Sequence, residues 1–234
     1  MKKIEMIYEG KAKKLWTTDE KDVLMQEFKD DATAFNAQKK GTIENKGAIN
    51  NKISSVIFEY LEKNHIPTHF IKQISDREMA VKVLEIIPVE VTIRNIVAGG
   101  MSKLLGLEEG IVLDEPVLEY HYKNDALGDP LINEYHIKAL KVAAFKDLEE
   151  IKKLSFKINV LLKEFFSERK IDLVDFKLEF GRYKGKILLG DEISPDTCRL
   201  WEKETQKKLD KDRFRRDLGD VEAAYQEILK RVTS

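Results

Sequence analysis

The sequence has few of the features that mark secreted, membrane or nucleic-acid-binding proteins. It contains a single cysteine, Cys198, so no disulfide can form within the chain, which is typical of a reducing compartment. No apolar run approaches membrane-spanning length, and the first residues lack the apolar core of a signal peptide. Lys and Arg number 41 against 42 Asp and Glu, and the net charge of -1 gives no long-range attraction to nucleic acid or anionic membranes. We therefore expect a soluble cytoplasmic protein in which any recognition of phosphate is local.

Familiar nucleotide and metal motifs are missing as well. The chain has no Walker motif, no dinucleotide-type glycine pattern, and neither the HRD nor the DFG triplet of protein kinases. The four histidines and one cysteine do not form a zinc pattern, and Pro67 between His65 and His69 argues against a helix that presents both rings to one metal. We interpret these two as surface histidines. Cys198 has no histidine nearby in sequence to activate it, so we do not interpret it as a nucleophile.

The 234 residues can bury a sizeable core in one large domain or two closely packed lobes. One stretch, 173–180, carries the strongest functional signal, because from Val174 onward it alternates strictly between apolar and charged, as in a strand with one buried face. The charged members are Asp175, Lys177 and Glu179. A three-residue loop, 183–185, predicts a hairpin whose return strand places Asp191 on the same face.

Crowded carboxylates repel one another, so this face would be costly unless Lys177 and a divalent cation neutralise it. Two carboxylates suit a hard ion such as Mg²⁺, and we predict Glu179 and Asp191 as its ligands. The alternative is an ordinary solvated face of an antiparallel sheet. The irregular segment 190–199 favours the functional interpretation, because it concentrates charges and hydroxyls where loops commonly carry function.

The rest of the chain mixes predicted strands and helices. Lys11 and Lys13 lie two residues apart and project to one side of a predicted strand or hairpin, where they can hold polyphosphate or simply protect an exposed edge. The composition predicts a loop-rich stretch over 103–137. We predict further strands at 23–28 and, with a turn at 75–77, within 68–96, and helices at 45–63, 147–169 and 221–232.

Several segments resemble the SAICAR synthetase family of purine biosynthesis, and the resemblance runs nearly from end to end. They are YEGKAKKLW, PVEVTIRNIVAGG, VDFKLEFG, GDEISPDTCRLW and DKDRFR. The resemblance implies an α+β fold of two lobes. Residues 1–85 would form a small kinase-like, β-rich lobe with one helix that covers ATP, and 86–234 a larger α/β lobe with the catalytic and substrate residues.

The reaction implied by the resemblance is an ATP-dependent carbon–nitrogen ligation. L-aspartate is joined to the carboxylate of carboxyaminoimidazole ribonucleotide, giving SAICAR, ADP and phosphate, through an acyl phosphate and with Mg²⁺. Bacterial relatives are often dimers, so a homodimer is expected, with neither nucleic acid nor membrane as partner. Two rival functions remain: a kinase-like phosphotransferase acting on a hydroxyl, and a nucleotide- or nucleic-acid-binding module without turnover.

The resemblance also implies roles for individual residues. Arg94 would bind the substrate phosphate, although a structural ion pair is the alternative. The family pattern ends in Gly and Ser, whereas here Gly99 and Gly100 precede Met101 and Ser102, so either Ser102 or the Gly100 amide would contact phosphate. The full assignment is: catalytic, Lys177, Asp175 and Glu179; nucleotide, Lys11, Lys13 and Lys123; substrate, Arg94, Ser102, Asp196, Arg199, Arg215 and Lys46; metal, Glu179 and Asp191. For Lys46 an ordinary solvated helix entry is the alternative, and for Lys123 a mobile solvated loop.

Overall fold

The computed structural model describes residues 1–34 and 38–234. The first part of the chain forms an antiparallel sheet with the strand order β1-β2-β3-β7-β6. A two-stranded ribbon, β4 and β5, and the helix α1 lie between β3 and β6 in sequence. The bounds are β1 Lys3–Glu9, β2 Lys13–Thr18, β3 Val23–Phe28, β4 Asp31–Ala34, β5 Lys39–Thr42, α1 Lys46–Lys63, β6 Phe70–Gln73 and β7 Glu78–Lys82.

Helix α1 begins one residue later than predicted and packs its apolar face against this sheet. Asn45, in the left-handed conformation with φ 60°, precedes it, and His65, with φ 61°, reverses the chain after it. The helix ends before Pro67 because the chain has already turned at His65. Its other side contacts the C-terminal helix, so the last part of the chain packs against the first sheet's helix.

A second sheet, of six strands, has the order β10-β9-β8-β11-β12, with β13 paired to β11. Its apolar face packs on a long helix, α4, and a single large core joins the apolar residues of both sheets. The bounds are β8 Glu85–Ile96, α2 Gly99–Leu105, β9 Val112–Tyr122, β10 Leu131–Ile132, α3 Glu134–Leu140, α4 Phe145–Ser167, β11 Ile171–Tyr183, β12 Lys186–Leu189, β13 Cys198–Glu202, α5 Asp212–Arg215 and α6 Val221–Thr233. Within the described ranges, none of the helices is both long enough and apolar enough to cross a bilayer.

The prediction of a loop-rich stretch over 103–137 was wrong. Strand β9 takes eleven of these residues and pairs with β8 along most of its length. It contains Pro116 and several acidic residues, and most of its side chains are only partly buried or exposed. The sequence therefore lacks the apolar alternation by which a strand is recognised.

The hairpin between β11 and β12 also differs from the prediction. Its turn has two residues, Lys184 with φ 50° and Gly185 with φ 78°, as a tight primed turn requires, and it pairs Tyr183 with Lys186. In a regular strand this register would turn Asp191 toward the buried face, opposite Leu178. The strand ends at Leu189, however, and Asp191 has a left-handed φ of 59°. Its carboxylate comes to lie 3.9 Å from the Lys177 ammonium, as the functional interpretation requires.

Candidate active site

One face of the second sheet is polar and forms the floor of a cleft of about 680 Å³. The side chains on this face belong to cross-strand neighbours on β9, β8, β11 and β13. The opposite face of the same strands is buried in the core. The two-residue period of the strands therefore places their polar side chains at the cleft and their apolar side chains in the core. The polar rows are His121, Glu90 and Glu179; Glu119, Thr92 and Lys177; and Arg94, Asp175 and Arg199.

A compact cluster of two lysines and two carboxylates occupies the first two rows. Lys177 Nζ lies 2.6 Å from Glu179 Oε1 and 2.8 Å from Glu90 Oε1. Lys123 Nζ approaches the same two oxygens at 2.9 and 3.4 Å. Glu90 and Glu179 are directly opposite each other on neighbouring strands and both are buried. Two such carboxylates repel, and the lysines make their proximity tolerable.

The protonation states of this cluster follow from its mutual charges. Burial alone would lower the pKa of Lys177, but Glu179, Asp191 and Glu90 outweigh burial and hold that pKa well above its ordinary value. Burial would raise the pKa of Glu179, and Lys177 and Lys123 lower it to below its ordinary value. Both groups are therefore charged at neutral pH.

Lysines from the first sheet close the other side of the cleft. Lys13 forms an ion pair with Asp191 and lies 2.9 Å from Glu192 Oε1, while Ser194 donates to the second oxygen of Glu192 at 2.6 Å. Lys11 reaches across to Asp125 at 2.7 Å. Both lysines line the cleft. Lys13 begins β2, but Lys11 lies in the turn between β1 and β2, so the two do not share a strand as predicted.

Glu179 and Asp191 each place a carboxylate oxygen near Lys177 Nζ, at 2.6 and 3.9 Å. Within 1–34 and 38–234, no group of three or more Asp, Glu, His or Cys side chains could hold a metal ion by itself. Mg²⁺ commonly binds proteins through one or two carboxylates and takes its remaining ligands from substrate phosphates and water. The donors therefore fit Mg²⁺ that arrives together with a nucleotide.

Two arginines share one carboxylate in the third row. Asp175 accepts from Arg94 Nη1 at 2.7 Å and from Arg199 Nη1 at 2.9 Å. Each arginine has a second carboxylate partner on its far side. Glu119 accepts from Arg94 Nη2 at 2.8 Å, and Asp212 accepts from Arg199 Nε at 2.9 Å. The result is a row of forked donors held at both edges, an arrangement suited to binding a phosphate.

Asp196 connects the cleft to the core. It accepts hydrogen bonds from Lys46 Nζ and from the Tyr225 hydroxyl, both at 2.7 Å, and Lys211 Nζ lies 3.7 Å away. Burial would raise the pKa of Asp196, but Lys211 and Lys46 hold it well below the usual range. Since Lys46 is on α1 and Tyr225 on α6, Asp196 ties two helices to the loop that carries Asp191.

The comparisons with known proteins agree with one another over nearly the whole chain. A family model described as SAICAR synthetase matches residues 6–232. A phosphoribosylaminoimidazole-succinocarboxamide synthase from Caldanaerobacter subterraneus subsp. tengcongensis is 61% identical over 232 residues, covering 99% of each chain. The synthase of the same name from Clostridium botulinum is 59% identical with the same coverage. A solved synthase from Ehrlichia chaffeensis superposes with a TM-score of 0.96 and 46% identity, covering 98% of each chain.

The chain belongs to the SAICAR synthetase family. It is an ATP-dependent ligase of purine biosynthesis, as the sequence predicts. A structure described as SAICAR synthetase (Type-2) in complex with ADP has a TM-score of 0.94 and 48% identity, covering 97% of each chain. These superpositions confirm the predicted α+β two-lobe fold class.

This SAICAR synthetase family member brings most of its predicted site residues into one cleft, although their individual roles stay predictions. Ser102 and Lys46 are the two that do not line it. Ser102 lies in α2 and donates to the Leu107 carbonyl at 2.7 Å, so its hydroxyl is used within its own turn. The residues in the cleft are Lys11, Lys13, Arg94, Lys123, Asp175, Lys177, Glu179, Asp191, Asp196, Arg199 and Arg215.

Neither prediction for Lys46 agrees with its position. Its side chain is 1% exposed and lies behind Asp196, so it is not part of a solvated helix entry, and it does not face the cleft where a substrate would lie. The sequence predicts an exposed lysine there because its partner is 150 residues away in the chain. Arg215 lines the cleft and donates to Asp212 at 2.6 Å.

Sequence reasoning missed several residues that line the cleft or hold its side chains. Glu90 had a usable signal, because it alternates with Val89 and Val91 and therefore lies on the same face as Arg94. Glu119 and His121 also alternate on β9, but the composition of that stretch predicts a loop. Glu192 and Lys211 reach the site through contacts between distant elements.

His69 was predicted as a surface histidine, and this was wrong, whereas His65 is exposed as predicted. The ring of His69 is 4% exposed, lies edge-on to Phe58 at 5.3 Å between centroids, and borders the cleft. His69 immediately precedes β6, and its backbone N–H donates to the Leu189 carbonyl on β12. Burial lowers the pKa of His69 to about 3.

The buried ring makes stability depend on pH in a way that a substitution can reveal. Between pH 6.5 and 3 the unfolded state binds a proton at His69 that the folded state does not, so acidification costs stability there. We expect His69→Gln to have a lower free energy of unfolding than wild type. This difference should shrink by about 1.4 kcal/mol per pH unit between pH 6 and 5. Urea unfolding at each pH measures this difference.

The exposed neighbour supplies the matched control. His65→Gln should change the free energy of unfolding by less than about 0.5 kcal/mol at each pH, since the His65 side chain is exposed. The comparison is made between variants because Asp210, whose pKa burial raises to about 7, contributes the opposite slope in every chain. A constant deficit for His69→Gln would mean that its ring is protonated in the folded state.

Proposed function

We propose that this protein joins L-aspartate to the carboxylate of carboxyaminoimidazole ribonucleotide, with conversion of ATP to ADP and phosphate. The observation that carries the proposal is the cluster of Lys177, Glu179 and Asp191 on the floor of the cleft. A carboxylate is a poor acceptor for an amine. Transfer of the terminal phosphoryl group of ATP to it gives an acyl phosphate, from which the aspartate amine displaces phosphate.

The nucleotide would lie between the two sheets. We assign residues 1–85 to a lobe that covers ATP and 86–234 to the catalytic and substrate lobe. Lys11, Lys13 and Lys123 supply positive charge for the nucleotide phosphates. Glu179 and Asp191 would hold Mg²⁺, which when bound neutralises phosphate charge and keeps the reacting groups in line. The ADP complex of the 48% identical SAICAR synthetase supports nucleotide use in this fold.

The ribonucleotide would lie over the second and third rows of the polar face. Arg94 and Arg199 present forked donors for its phosphate. Asp175 and Asp196 can accept from ribose or the imidazole amine, and Lys177 offsets charge near the reacting carboxylate. Arg215, at the same end of the cleft, is a further substrate contact.

Omission of each substrate in turn tests the reaction. Phosphate release should require ATP, aspartate and the carboxylated ribonucleotide together. Formation of ADP and a phosphorylated hydroxyl product without aspartate would indicate the phosphotransferase instead. Salt-sensitive binding to RNA without ATP turnover would indicate a binding module. We also propose a cytoplasmic homodimer, and the molar mass measured by light scattering on the purified protein tests the dimer.

Arg94→Ala tests the phosphate site. We expect the KM for the ribonucleotide to rise by about 10- to 100-fold, because a charge-assisted, forked contact is lost. The KM for ATP should change little, since Arg94 contacts Asp175 and Glu119 and none of the lysines assigned to the nucleotide. Steady-state kinetics with each substrate varied separately measure this. An unchanged KM for the ribonucleotide in a folded variant would leave Arg94 as a structural ion pair only.

A further inference from the structure

Glu119 is a nearly buried carboxylate to which neither the sequence nor the proposed reaction gives a role. It lies on β9 opposite Thr92, diagonal to Arg94, and its side chain is 13% exposed. One of its oxygens accepts from Arg94 Nη2 at 2.8 Å and from His121 Nε2 at 3.4 Å. Burial would raise the pKa of Glu119, but the bonds from His121 and Arg94 lower it to about 2, so the group is ionised.

The geometry of Arg94 makes this contact consequential. Its Nε is fully enclosed and, among the described residues, has no hydrogen-bond partner, so the two Nη groups are the part of the guanidinium that meets the cleft. Asp175 holds Nη1 and Glu119 holds Nη2. A guanidinium is planar and rigid, so two contacts at its Nη edge fix the plane of the whole group.

We propose that Glu119 is a positioning residue for the ribonucleotide phosphate, acting through Arg94. This rests on the proposed function, in which Arg94 binds that phosphate. When the phosphate draws Nη1 away from Asp175, Glu119 remains as the anchor that keeps the Nη edge directed into the cleft. A ligand then meets a donor pair that is already oriented, and less conformational freedom is lost on binding.

The alternative is that Glu119 is a simple counter-ion that competes with the phosphate for Arg94. The two roles predict opposite changes in ribonucleotide affinity when Glu119 is removed. Removal of a mere competitor leaves Arg94 freer to pair and strengthens binding of the ribonucleotide. Removal of a positioning residue weakens it, because the side chain must be ordered at the moment of binding.

The experiment compares Glu119→Ala, Glu119→Gln and wild type in the complete ligase assay. We expect Glu119→Ala to raise the KM for the ribonucleotide by about 10- to 100-fold, the worth of a hydrogen bond to a charged group. Glu119→Gln keeps an acceptor without the charge and should recover part of this loss. The KM for ATP should stay within about twofold, which a general loss of structure would not allow. Glu115→Ala, exposed on the same strand, is the matched control and should behave as wild type.

A double-mutant cycle with Arg94→Ala decides whether Glu119 acts through Arg94. In the Arg94→Ala background, Glu119→Ala should cost little more, giving strong non-additivity. Additive losses, or tighter binding of the ribonucleotide in either Glu119 variant, would overturn the positioning role. If Arg94→Ala alone left the ribonucleotide KM unchanged, the phosphate clamp and the role of Glu119 would both be excluded. Activity dependent on all three substrates would still identify the ligase.

Discussion

Glu179→Gln is expected to lower kcat by about 100- to 1,000-fold, the scale seen when one preorganised electrostatic contact to a transition state is removed. The carboxylate is ionised and lies between Lys177 and Lys123, so glutamine removes one of the two charges assigned to Mg²⁺. Nucleotide should still bind, because Lys11 and Lys13 come from the other sheet. The Mg²⁺ concentration for half-maximal activity should rise in parallel.

Steady-state kinetics with Mg²⁺ varied, and calorimetric titration with ADP, measure the two effects separately. Thermal unfolding checks that the fold is intact, as expected when Lys177 retains Glu90 as a partner at 2.8 Å. Glu85→Gln is the matched control, since Glu85 begins the neighbouring strand β8 but is 73% exposed at the rim. Near-normal turnover of Glu179→Gln at low Mg²⁺ would remove Glu179 from the metal site.

The part of the site that could be predicted depends on local periodicity. Asp175, Lys177 and Glu179 lie two residues apart on one strand, so any strand over 171–183 places them on one face. The same rule groups Glu90 with Arg94 on β8. The two-residue period of each strand therefore determines which of its side chains lie on the polar face, whatever the register between the strands.

Register and loop geometry could not be predicted in the same way. The residues Tyr183, Lys184 and Gly185 suit either a two- or a three-residue turn, and the choice depends on Lys184 adopting a left-handed φ. Asp191 reaches Lys177 only because its own φ is left-handed, where a non-glycine residue is uncommon. The shorter turn and the left-handed φ of Asp191 have opposite effects on where its side chain points, so the predicted proximity of Asp191 to Lys177 holds although the predicted register was wrong.

Burial of polar residues was the other source of error. His69 and Lys46 are polar residues at the ends of elements, where exposure is the usual outcome. Both are buried because the loop around Asp191 and Asp196 packs on them from a distant part of the sequence. A single sequence contains no signal for such a contact, and the substrate role predicted for Lys46 gains no support from its position behind Asp196.

Asp196→Asn is expected to lower the free energy of unfolding by about 3–5 kcal/mol, the usual cost of removing one partner of a buried ion pair. Asparagine has nearly the same shape, so packing is kept, but Lys46 becomes a charge in a site where its side chain is only 1% exposed. The exposed pair of Lys39 and Asp217, 2.5 Å apart, is the matched control, because Asp217 is 85% exposed. Asp217→Asn should change stability by less than about 0.5 kcal/mol.

Urea unfolding of the double variant Lys46→Met/Asp196→Asn separates an unpaired charge from lost packing. If the cost of Asp196→Asn comes from leaving Lys46 without a counter-ion, replacing Lys46 by an apolar side chain of similar length should restore about half of the loss or more. The two substitutions would then be strongly non-additive. Additive losses would mean that Asp196 does not stabilise the fold through Lys46, and an equal loss for Asp217→Asn would mean that Asp196 contributes no more than a surface carboxylate. The loop from Asp191 to Asp196 would then be held chiefly by its backbone contacts to α1, such as that of Ser54 with Ile193.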